Sequence, residues 1–170
     1  MEEMIHTGSQ AVKMMVQKEG KYLTLSLAGE EYGIEILKVK EIIGMMPITP
    51  VPLTPPFVKG VINLRGKVIP VVNLRLKFGM EEVAYSERTC IIVVEIRRQG
   101  GSVLIGNVVD SVSEVLNIKA NDIEETPTFG ARMDTDYILG MAKMNGGVKI
   151  LLDISRVLNA DEINVCEKAA

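Results

Sequence analysis

The residues able to do chemistry in this chain are few, and their spacing argues against most reactions. Its single histidine, His6, stands in MEEMIHTG near the start. With no second imidazole to share a metal and no orienting partner, histidine-dependent nucleophilic triads and most zinc sites are excluded. The two cysteines form no C-x-x-C pair. Cys90 reads as a buried reduced thiol in an apolar strand and Cys166 as an incidental one in a terminal tail, a usage that fits a reducing cytoplasm. Neither G-x-G-x-x-G nor the phosphate-loop pattern occurs. Carboxylate pairs remain: Asp122 with Glu124 or Glu125, and Asp134 with Asp136. All lie beside turn residues in an acidic loop, whereas general acid and base work needs a partly buried carboxyl with a shifted pKa. Neither catalysis nor a metal or cofactor is expected.

What is unusual is charge placed on or beside apolar strands. Glu41 follows Val39 on one strand, and Arg65 stands at a turn in GVINLRGKVIPVVNLR, residues 60 to 75. Arg65 reads either as an exposed turn charge or as an anchor at a binding surface, where a guanidinium forms bidentate pairs and lays its stem on apolar surface. Lys67 and Arg75 read as solvated charges. Pro70, in the second strand of that hairpin, has no N–H and so marks a strand edge or bulge.

These residues are carried by a strand-rich chain. It has 170 residues, 47% of them hydrophobic and 24% charged, with a net charge of −3. That is enough chain for a core without disulfides, and the acidic balance with no Trp and few other aromatics speaks against nucleic-acid binding. The first twenty residues contain no sustained apolar run, so neither a signal peptide nor membrane insertion is expected. A free-standing protein with a flexible tail over 1–20 is expected instead. YLTLSLAG alternates with period two and leads into EEYGIEI, a hairpin; VKEIIG is a further strand. Five prolines between 47 and 56 make a rigid surface connection, and PFVKG reads as one helical turn. CIIVVEI, VLIGNVVDSV, SEVLNI, YILGMAKM and VKILLDI follow as strands, with an acidic loop over 119–136 and a helix through SRVLNADEI.

The two halves of the chain repeat. GVINLRGKVIPVVNL (60–74) aligns without gaps on GMAKMNGGVKILLDI (140–154), and YGIEILKVKEII (32–43) on IGNVVDSVSEVL (105–116). Each half runs strand, strand, strand, link, hairpin, helix, which points to duplication. Short strands joined by tight turns curl rather than leave open edges. The expected fold is mainly β: two five-stranded SH3-like β-barrels side by side with one or two short helices. The domain spans 21–160, in approximate halves 21–85 and 86–160, with a C-terminal tail over 161–170.

VKGVINLRGKVIPVVNLR, with EEYGIEILKVKEIIG before it and VVDSVSEVL after it, closely resembles the CheW family of bacterial chemotaxis coupling proteins, in order over residues 20 to 160. The resemblance implies two SH3-like barrels around an additional core, and a non-catalytic cytoplasmic adaptor. Such an adaptor joins the tips of methyl-accepting chemoreceptors to the regulatory domain of the histidine kinase CheA, within arrays at the membrane, so that receptors control autophosphorylation. Carried over, it implicates Val39, Glu41, Gly60 and Arg65 in receptor or kinase binding, and Ile123, Glu124 and Phe129 in a second kinase contact. The chain departs from the family pattern at Asn73, where Asp is usual, which puts any role of that carboxylate in doubt. The rival readings are a related scaffold serving another sensory kinase and, more remotely, a small β-barrel enzyme or oligonucleotide binder.

Overall fold

A computed structural model of the protein describes residues 18–126 and 136–170. Its strands are β1 (Gly20–Leu27), β2 (Glu30–Glu35), β3 (Val39–Gly44), β4 (Val58–Leu64), β5 (Lys67–Asn73), β6 (Cys90–Arg98), β7 (Gly101–Val109), β8 (Ser111–Ile118), β9 (Ile123–Glu124), β10 (Ile138–Met144) and β11 (Gly147–Leu152). The helices are α1 (Leu74–Lys77), α2 (Ile154–Val157) and α3 (Ala160–Ala169). The expected helical turn at PFVKG is absent: a simple turn leads straight into β4.

Two sheets form, in the orders β8-β1-β2-β11-β10-β9 and β3-β6-β7-β5-β4. The mainly-β fold is as expected, but the two sheets are not the two halves of the chain. Strands β1 and β2 belong to the sheet otherwise built from the second half, while β6 and β7 belong to the sheet otherwise built from the first. The boundary near residue 85 therefore divides the sequence and not the fold. The exchange is symmetric. Parallel seams join β2 to β11, with Gly33 opposite Leu151, and β7 to β5, with Gly106 opposite Val71. Both glycines, and both partners, are equivalent positions of the repeat.

Burial explains why this arrangement holds. Ile62, Ile69, Val71, Ile91, Val93 and Val108 pack together within the five-stranded sheet. Tyr22, Ile118, Ile123, Ala142 and Leu151 do so within the six-stranded one. The intervening residues of the same strands, among them Leu23, Leu25, Ile34, Val72, Ile92 and Val94, meet in a third core shared by both sheets. Strands buried on both faces must be apolar throughout, which is why CIIVVEI does not alternate.

Two sequence expectations change here. β5 is an interior strand rather than an edge, and Pro70 lies one residue before the parallel ladder begins at Val71. Its repeat counterpart Ile150 does pair, with Tyr32, so the ladder on β5 begins one residue later than its counterpart, and both seams keep three pairs. Residues 161–170, expected as a tail, form most of α3. A reciprocal capping box of Asn159 and Glu162 starts that helix, Ile163 and Cys166 enter the shared core, and Lys77–Glu162 and Arg98–Glu167 tie it down. Cys166 is thus fully buried, and burial, followed by the charges of Glu162 and Glu167, pushes its thiol up to about 11. The segment DEINVCEKAA gives little sign of this, because half of its positions are polar and only Ile163 and Cys166 make the contact.

Candidate partner-binding face

Arg65 is presented by the tightest element of the fold. Leu64 and Lys67 pair across a two-residue turn in which Arg65 and Gly66 both take positive φ, 52° and 84°. The Gly66 N–H donates to Asn63 Oδ1 at 2.8 Å. Positive φ at both central residues gives the turn whose twist suits a hairpin, and it favours Asn followed by Gly. The second repeat has that pair, Asn145 at 51° and Gly146 at 76°. Arginine has no such preference for the left-handed region.

From this turn the guanidinium reaches Glu41 on β3. Arg65 Nη1 donates to Glu41 Oε1 at 2.8 Å, and Nη2 donates to Oε2, a bidentate pair. β3 and β4 are the two edges of their sheet, and this pair links the turn that follows β4 to β3. The hydrogen bonds from Arg65 hold the Glu41 carboxyl below its usual range, and the same bonds raise the guanidinium. The Arg65 side chain remains 70% exposed against 28% for Glu41. Its outer edge is therefore free for a second acceptor.

The other expected residues play different parts. Val39, at the start of β3, is half-buried and packs against the shared core. Gly60 is buried, and a Cβ there would lie 2.0 Å from the Thr49 carbonyl oxygen; it shapes the face from behind. Ile123 is buried at the edge of the other sheet, opposite Ala142, and Glu124 is exposed and paired with Lys143 at 2.7 Å. They do not join the Arg65 face, and Phe129 lies outside the described residues. Asn73 is the N-cap of α1, accepting from the Leu76 N–H at 3.2 Å, as Asp153 caps α2 by accepting from Ser155 N–H at 3.1 Å. Asn and Asp cap equally well, so at this position the charge is dispensable to the fold.

Sequence reading also missed two exposed apolar residues elsewhere on this sheet. Ile42, next to Glu41, and Val68, at the start of β5, are 43% and 47% exposed. Ile42 could have been found, because it falls on the outward register of β3 with Lys40 and Gly44. Arg75, read as solvated, is instead largely buried, with its Nε donating to Asp110 Oδ1 at 2.7 Å and its Nη2 to Oδ2 at 2.5 Å. Among the described residues no cluster of three His, Cys, Asp or Glu could hold a metal, and no helix is long and apolar enough to cross a membrane.

The chain resembles known proteins throughout this architecture. The family model described as CheW-like domain matches residues 21–162. "Chemotaxis protein CheW" of Klebsiella aerogenes is 39% identical over 150 residues, covering 88% of each chain. The Helicobacter pylori protein of the same name is 34% identical over 142 residues, covering 83% of this chain and 82% of its own. Among solved structures, the scaffolding protein TtCheW from Thermoanaerobacter tengcongensis superposes with a TM-score of 0.72 at 37% identity, covering 85% of this chain and 95% of its own. These relatives carry the names of chemotaxis and scaffolding proteins rather than of enzymes. The chain belongs to the CheW-like domain family.

Proposed function

We propose that this protein is a non-catalytic chemotaxis adaptor that couples chemoreceptors to the histidine kinase CheA, at receptor arrays on the cytoplasmic side of the membrane. The observation that carries the reading is Arg65. The same turn is built in the second repeat from Asn145 and Gly146, so the fold does not require arginine there, and the conformation disfavours it. A locally costly residue whose guanidinium stays 70% exposed is a contact residue rather than a structural one. Glu41 orients it, Val39 and Gly60 support β3 and β4 behind it, and the Ile123, Glu124 and Phe129 segment supplies a separate kinase contact. Individual contacts of this size are weak, and repetition in an array raises the effective concentration of each. Receptor state is transmitted to the extent that these contacts differ in free energy between kinase-on and kinase-off arrangements.

The test is reconstitution of receptor cytoplasmic fragment, kinase and this protein, with Arg65→Asn compared against the natural sequence. The expected result is that the natural protein confers receptor control on kinase activity, while R65N folds normally and binds receptor or kinase at least about tenfold more weakly, as loss of a contact anchor does. Unchanged binding and control by R65N would overturn the site. Failure of the natural protein to bind either partner would overturn the function.

A further inference from the structure

The hairpin that carries Arg65 is closed at its base from outside. Val58 and Val72 pair at the end farthest from the turn, and the Asn73 N–H donates to the Phe57 carbonyl at 2.8 Å. Across these two legs lies α3, which packs against both β4 and β5. Its Ile163 and Cys166 share one core with Val58 and Val72. Lys77, which ends α1 just beyond β5, joins all three parts. Its Nζ donates to Glu162 Oε2 of α3 at 2.5 Å and lies 4.9 Å from the centre of the Phe57 ring, just ahead of β4. One ammonium thus holds the strand that enters, the strand that leaves and the helix above them.

The second repeat lacks this device. The backbone bond recurs, with the Asp153 N–H donating to the Tyr137 carbonyl at 2.7 Å, and in the same register Phe57 meets Tyr137. Lys77, however, meets Val157, and among the described residues no helix follows α1 as α3 follows α2. The copy that adds Arg65 is the copy that is clamped.

The helix itself is lightly seated. It gives two side chains to the core and has open space on both flanks, about 610 Å³ toward the end of β6 and about 270 Å³ toward Phe78 and Tyr137. A helix of ten residues is marginal in water without packing, so undocking and unfolding of α3 are one event. It belongs to neither sheet, and no ladder is broken when it leaves.

We infer that α3 is a releasable clamp on the Arg65 hairpin: it opens as a unit while both sheets stay folded, and opening frees the base of that hairpin alone. The consequence for partner binding rests on the proposed role of Arg65; the clamp does not.

Cys166, fully buried under α3, supplies the test. In a Cys90→Ala protein it is the one thiol left, so N-ethylmaleimide with mass spectrometry measures how often α3 lifts, and the adduct, too large for the core, holds it open. Alkylation is expected at a rate that low denaturant leaves unchanged, since opening one helix exposes little surface. In the adduct, hydrogen exchange is expected to be on the order of tenfold faster in β4 and β5 and unchanged in β10 and β11. Its affinity for receptor fragment or kinase is expected to fall on the order of tenfold. Glu162→Gln keeps the capping box but loses the charge, and should raise alkylation and exchange at the hairpin base together, about fivefold. Alkylation that tracks global unfolding, an adduct that loses both sheets, or equal exchange in the two hairpins overturns the inference. So does an E162Q protein in which alkylation alone is faster. Faster exchange in β4 and β5 with unchanged binding leaves the clamp standing and overturns only its consequence for partners, and R65N then decides the role of Arg65.

Discussion

At the scale of the residue, the repeat supplies its own control experiment. Arg65 and Asn145 hold the same backbone conformation, so R65N should melt at the same temperature as the natural protein or higher, because Asn fits the turn and the lost ion pair is a surface one. A marked fall in Tm would show that the pair holds the sheet edges together rather than waiting for a partner. That contrast was legible in the sequence, since arginine at a hairpin turn with Asn in its duplicate is visible in the alignment. The pair Arg75–Asp110 was not, because its members are 35 residues apart and nothing local marks either as buried. Asp110 also accepts from the Ala28 N–H at 2.8 Å, so it binds α1 of one sheet to the β1–β2 turn of the other. The Arg75 hydrogen bonds hold its carboxyl below the ordinary 3.8. A carboxyl depressed in the folded state adds stability that is fully present above 3.8 and is lost as pH falls through the folded value. Asp110→Asn should therefore be less stable than the natural protein at pH 7, with the gap closing below pH 3.8. Denaturant titrations at the two pH values check this; an equal gap at both would remove the charge from the account.

At the scale of the element, the two hairpins show which glycines the fold demands. Gly60 and Gly140 are equivalent, and each faces the carbonyl of a short crossing segment. A Cβ at Gly60 would lie 2.0 Å from the Thr49 oxygen, with the backbone at φ 140°, whereas one at Gly140 would lie 3.0 Å from the Glu124 oxygen and 2.9 Å from the Cγ2 methyl of Ile123, with no positive φ to add strain. Backbone cannot yield as a side chain can. Gly60→Ala is expected to cost about 3 kcal/mol or more and Gly140→Ala about 1 kcal/mol, from overpacking with and without backbone strain. Thermal unfolding of the two variants measures the difference, and equal losses would refute the asymmetry. The sequence pairs these glycines in the alignment without revealing why, since the cause is the approach of Thr49 and Glu124 from outside either hairpin. Pro70 misled for a similar reason. Its missing N–H implies an unpaired position, but an interior strand can hold one where its second ladder has not yet begun.

At the scale of the whole molecule, the strand pattern, the hairpins and the duplication were legible, because periodicity, turn glycines and internal alignment are all local or one-dimensional signals. The exchange of β1 and β2 for β6 and β7 was not, because either pairing buries the same apolar residues and only the parallel seams distinguish them. Those seams carry a consequence for folding. Residues 18–85 supply three strands of one sheet and two of the other, and residues 86–170 supply the remainder, so each half alone leaves both sheets without a parallel neighbour and the shared core without its opposing wall. Neither half is expected to fold by itself, and the two are expected to complement one another. A protease site placed in the exposed link between α1 and β6 would separate them without touching either sheet. After cleavage the nicked protein should keep its native circular dichroism and a single cooperative transition. Once parted in denaturant, each fragment should remain unfolded on dilution, and mixing the two should restore the native signal at a rate that depends on concentration, because joining two chains is bimolecular. A separated fragment that unfolds cooperatively would mean that one sheet is self-sufficient, and that the halves read from the sequence are domains after all.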